Sequence, residues 1–66
     1  MDADVIRGRV RVIRSHAGDD ERAHGLEDDL WADVLRAIAR GQCDDPKACA
    51  EAALETLALD FNRWCA

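Results

Sequence analysis

The sequence predicts an all-α fold: a small three-helix domain with a central antiparallel helical hairpin and a short C-terminal turn. Two segments carry this reading. In "LWADVLRAIARG", Leu30, Trp31, Val34, Leu35 and Ile38 recur at helical spacing, forming one apolar face about two-fifths of the circumference wide. In "PKACAEAALETLAL", Cys49, Ala50, Ala52, Ala53 and Leu57 form a second face of mostly small residues. Small residues opposite bulky ones permit close approach, so the two helices should pair as a hairpin. Composition agrees, with twelve Ala against four Gly and a single Pro.

The N-terminal arm, residues 1–18, can be read two ways. As a strand, "DVIRGRVRVIR" puts Ile6, Gly8, Val10 and Val12 on one face and Arg7, Arg9 and Arg11 on the other. As a helix it gathers Val5, Ile6, Val10, Val12 and Ile13 on one side, interrupted by Arg9. β-Branched content favours the strand. The lack of a pairing partner and the capping capacity of Asp2 or Asp4 favour the helix, and the helix is the preferred reading. The central helix is expected over about residues 26–40, with an alternative start at Asp19. Gly41 ends it and Arg40 sits in its last turn. Asp45 caps the third helix, expected over 46–58, with Pro46 at its first position. "LDFNRWCA" then offers Asp60 as a cap for a short terminal turn. Trp31, Leu35, Ile38 and Leu57 are the expected core, closed by Phe61 and Trp64.

At 66 residues the chain is one small domain, 1–66, with a thin core. Its net charge of −5 is uneven. Residues 1–14 hold four arginines against two aspartates, whereas residues 15–66 hold five basic and twelve acidic side chains. The acidic body repels phosphates, which argues against nucleic acid as a partner and leaves only the basic arm for such contact. An acidic start, no long apolar run and three cysteines in no secretory context predict a cytoplasmic protein that does not enter membranes.

The stretch "AHGLEDDLW" asks whether His24 and the acids beside it form a metal or acid–base site. If the helix begins at Glu27, then Glu27, Asp28 and Asp29 simply fill its first turn and complement its dipole. If it begins at Asp19 or Asp20, then Asp20, His24 and Glu27 share one face at i, i+4, i+7 and could ligate a metal. Glu21 to His24 is then a fragment of the di-iron E-x-x-H pattern. The structural reading is preferred, with His24 bonded to Glu27 or a backbone carbonyl. A second E-x-x-H is missing, and the cysteines and histidines lack zinc spacing. No phosphate loop, serine nucleophile motif or H-E-x-x-H is present, and Asp44 and Asp45 disfavour a thiolate at Cys43. No enzyme activity, cofactor or resident metal is therefore expected.

Residues 22–66 carry A-H-x-x-E-D-x-L-x-x-x-V-L-x-x-I-A and a closing D-F-x-R-W. This resembles short uncharacterised proteins of bacterial and phage genomes, a group without an established activity. The resemblance implies a bacterial or prophage setting and transfers no functional residue. The arm is also similar to ribbon–helix–helix DNA-binding proteins, in which a basic strand pairs with its twin and enters the major groove. That resemblance implies a transcriptional regulator with Arg7, Arg9 and Arg11 facing the bases. The long "SHAGDDERAHG" connection and the acids at the third helix's start depart from its pattern. The expected function is a non-catalytic protein–protein interaction or regulatory module. It should be homodimeric and bind another protein through an acidic surface.

Overall fold

The computed structural model describes residues 1–63. Three helices, α1 (Ala3–Ser15), α2 (Asp20–Ala39) and α3 (Pro46–Leu54), are followed by one 3-10 turn (Glu55–Ala58). The fold is all-α, with no strand among the described residues.

The arm is a helix. Asp2 caps it, its side chain accepting from the Val5 N–H at 2.9 Å. The burial pattern settles the period: Ile6, Val10 and Ile13 are buried while Val12 is half exposed. A strand would have put Val12 inside with Val10 and turned Ile13 out. The helical stripe prevails because α2 and α3 offer it an apolar trough, whereas a lone strand would leave its backbone groups unpaired. α1 lies against both other helices and makes its widest contact with α3.

α2 starts at the earlier of the two expected positions. Asp19 is its cap, accepting from Arg22 N–H at 3.2 Å, and Asp20 and Glu21 occupy the first turn. Glu27, Asp28 and Asp29 therefore lie inside the helix rather than at its beginning, a correction to the expected 26–40 span. Gly25 adds about 1 kcal/mol against this extension. The cap and the burial of Ala23 and Glu27 outweigh it.

α2 ends in paired bonds, Gln42 N–H to Ala37 O at 2.8 Å and Gly41 N–H to Ile38 O at 3.1 Å. This Schellman closure requires a left-handed residue, supplied by Gly41 at φ +67°. Gly41→Ala should therefore lower stability by about 1 kcal/mol, read as a fall in thermal midpoint. An unchanged midpoint would show that the turn relaxes at no cost. The turn also receives the N-terminus: the Met1 amine donates to Gln42 O at 2.8 Å, and Asp44 N–H donates to Met1 O at 3.2 Å.

α3 begins as expected, with Asp45 accepting from Ala48 N–H and Pro46 in the first turn. It tightens into the 3-10 turn after Leu54 instead of continuing as α-helix to 58. There the buried Thr56 hydroxyl donates to Ala53 O at 3.2 Å and accepts from Trp31 Nε1 at 3.1 Å. The turn brings a small hydroxyl, not an apolar side chain, against α2.

The core comprises Ile6, Val10, Ile13, Ala23, Leu30, Val34, Cys49, Ala52, Ala53 and Phe61. It differs from the expected one in a definite way. Leu35 is 66% exposed and Leu57 58% exposed, while Trp31 and Ile38 are only partly buried at the border. A two-helix hairpin would centre α2's inner face on the whole stripe. With α1 packed on the other side, that face rotates to Ala23, Glu27, Leu30 and Val34 and leaves Leu35 outside. Phe61 closes the core as expected. Trp64 and Cys65, also expected at that end, lie outside the described residues.

Candidate docking surface

The polar stripe Asp20, His24 and Glu27 shares one helix but not one function. Both Glu27 carboxylate oxygens are occupied by Arg63, Nε to Oε1 at 2.8 Å and Nη2 to Oε2 at 2.9 Å. Arg63 Nη2 also donates to Thr56 O at 3.0 Å, and its guanidinium lies 4.0 Å over the Phe61 ring. These hydrogen bonds hold the Glu27 carboxyl below its ordinary pKa, against the upward push of burial. Asp20 accepts from the Asn62 backbone N–H at 2.9 Å. His24 Nε2 is 3.4 Å from Asp28 Oδ1, its neighbour one turn on, rather than bonded to Glu27 or a carbonyl. Its Nδ1 is buried without a hydrogen-bond partner among the described residues.

The stripe thus fastens the C-terminal segment to α2. Two of its three members face residues 62 and 63, and no group of three potential metal ligands converges among the described residues. Arg63 is the partner that sequence reasoning missed. Its signal was Glu27 itself: a carboxylate in phase with Leu30 and Val34 requires a cation from elsewhere in the chain.

The basic arm is largely neutralised within the chain. Arg7 Nε donates to Glu55 at 2.9 Å, and Asp4 lies 4.0 Å from its Nη1. Glu55 is the main cause of the raised Arg7 pKa. Arg9 Nη1 donates to Asp33 at 2.8 Å, and Asp33 is shared with Arg36 at 3.4 Å. Arg11 is exposed. On a helix Arg7 and Arg11 stand one turn apart on one side and Arg9 is turned away, so the alternating strand that a ribbon–helix–helix reading requires is replaced. The candidate groove-facing row, Arg7, Arg9 and Arg11, is not a row.

The two cysteines among the described residues are free thiols. Cys49 is buried at the core and Cys43 half-buried in the turn. Burial first, and then the neighbouring Cys43 thiol, push the Cys49 pKa up, so it is not activated as a nucleophile.

The conspicuous surface feature is apolar. Between α2 and α3 runs an open groove of about 180 Å³, lined by Trp31, Leu35 and Ile38 on one wall and Ala50, Ala53 and Leu54 on the other. Leu35 and Leu54 are each more than half exposed, and Leu57 follows Leu54 three residues on with similar exposure. The Trp31 indole N–H is satisfied internally by Ala53 O at 3.2 Å and by Thr56 Oγ1. The wall it contributes is therefore carbon surface. A second hollow near the start of α2 is lined by Asp19, Glu21 and Asp29 together with Arg22. No helix among the described residues is long and apolar enough to cross a membrane. No family model matches the chain, and neither a curated protein nor a solved structure is significantly similar to it.

Proposed function

We propose that this chain is a non-catalytic protein–protein interaction or regulatory module that docks through the α2–α3 groove. One observation carries the reading. A domain whose core holds few large side chains leaves Leu35 and Leu54 more than half exposed on the walls of one apolar groove. Clustered apolar surface of this kind on a small domain is the mark of a contact face, because its exposure to water is otherwise unfavourable. A tryptophan wall with its polar edge already satisfied suits such a contact, since docking leaves no indole N–H unpaired.

In-cell photocrosslinking tests this directly. A photoreactive side chain at position 35 should give a specific protein adduct, and the same group at position 22, away from the groove, should not. Absence of any adduct at 35, with the folded protein present, would remove the groove as a docking face.

A further inference from the structure

We infer that the occupant of the groove is a second copy of this chain, related by a two-fold axis near Leu35, with the two α2 helices antiparallel. The inference rests on the interaction reading above and adds the partner and its orientation.

Charge is the first support. Glu27 and Asp33 are paired within the chain, but from Asp20 to Asp29 α2 still carries four further acids against one arginine, whereas beyond Val34 it carries only Arg36, which also reaches Asp33, followed by Arg40 at its cap. Parallel pairing would set like halves together. Antiparallel pairing sets the acidic half of each α2 against the basic half of the other and also opposes the helix dipoles.

The groove rim repeats this polarity. Asp28 lies seven residues before Leu35 on α2, and Lys47 lies seven residues before Leu54 on α3. Seven residues are about two helical turns, so each charge stands on the same side as its leucine. Because α2 and α3 run in opposite senses, Asp28 and Lys47 mark opposite ends of the groove. A two-fold through its middle carries Asp28 of one copy to Lys47 of the other, twice.

Shape is the second support. An isologous contact needs a face that is its own complement. This one has a projecting Leu35 and, beside it, a recess of about 180 Å³ between Trp31, Ile38 and Ala50. Size limits the affinity. A stable interface takes about 800 Å² from each partner, roughly a fifth of the 4325 Å² surface. A contact confined to the groove and its rim is smaller than that, so the pairing is weak and concentration-dependent.

Sedimentation equilibrium of the full chain from about 1 µM to 1 mM should show a monomer–dimer equilibrium. Leu35→Glu places like charges at the two-fold and should weaken the dimer at least tenfold, with the helical circular dichroism unchanged. Asp28→Lys should weaken it severalfold by opposing Lys47, and Asp28→Lys with Lys47→Asp should restore it. Rescue is the decisive arm, because a fold defect would not be repaired by the second change. A dimer indifferent to Leu35→Glu, or a swap that fails to rescue, overturns this geometry. A strictly monomeric chain whose position-35 adduct has a mass other than two copies overturns self-pairing and leaves the interaction module standing. A monomer with no adduct at all removes both.

Discussion

Leu30→Ala is expected to remove most of the stability of this domain. Leu30 is fully buried, in contact with the side chains that α1 and α3 bring to the core. Deleting such a side chain costs about 2–5 kcal/mol, depending on how far the site collapses. A 66-residue chain has roughly 3–10 kcal/mol in total, so the variant should show a much lower denaturant midpoint and a partly unfolded population at room temperature. Leu35→Ala is the internal control. Its side chain is 66% exposed, so truncation should cost under about 0.5 kcal/mol in dilute solution. A penalty for Leu35→Ala that grows with protein concentration would report the dimer instead. Equal losses at the two positions would mean that α2 is rotated from the orientation described here.

The contrast between these two leucines shows how far the sequence is legible. Periodicity places Leu30, Trp31, Val34, Leu35 and Ile38 on one stripe of α2, and it does so correctly. It cannot say which edge of a wide stripe another helix will cover. That choice depends on α1, whose own reading stood between strand and helix. Once Ile6, Val10 and Ile13 settle on one side of α2 and α3, the stripe divides into a buried half and the groove. Caps were legible because their chemistry is local: Asp2, Asp45 and Gly41 each act within a few residues. Pairs spanning tens of residues were not. Arg7 with Glu55, Arg9 with Asp33 and Arg63 with Glu27 are set by tertiary placement, so the arm looked free and Glu27 looked available as a ligand.

Glu27→Gln should be the second most costly change, and its cost should depend on pH. Glu27 is buried, and both its oxygens are engaged by Arg63. Removing one member of a fully buried pair costs about 3–5 kcal/mol. Here the Arg63 side chain is 32% exposed and can rehydrate, which reduces the expected loss at neutral pH to about 1–3 kcal/mol. Because the folded-state pKa of Glu27 is depressed, the unfolded chain takes up the proton first as pH falls. The stabilisation is therefore fully present above the ordinary glutamate range, near pH 4.5, and is lost progressively as pH drops through the lower folded value. Denaturation of wild type and Glu27→Gln at matched pH isolates this contribution from the other acids, which titrate in both. The gap between them should be widest near pH 7 and narrow progressively as pH falls below the ordinary glutamate range. Hydrogen exchange should locate it. The Asn62 amide, held by Asp20 one residue from Arg63, should exchange faster in the variant, whereas amides of α1 should follow global stability. A gap that stays constant down to pH 3 would assign the effect to shape rather than to the Glu27 charge.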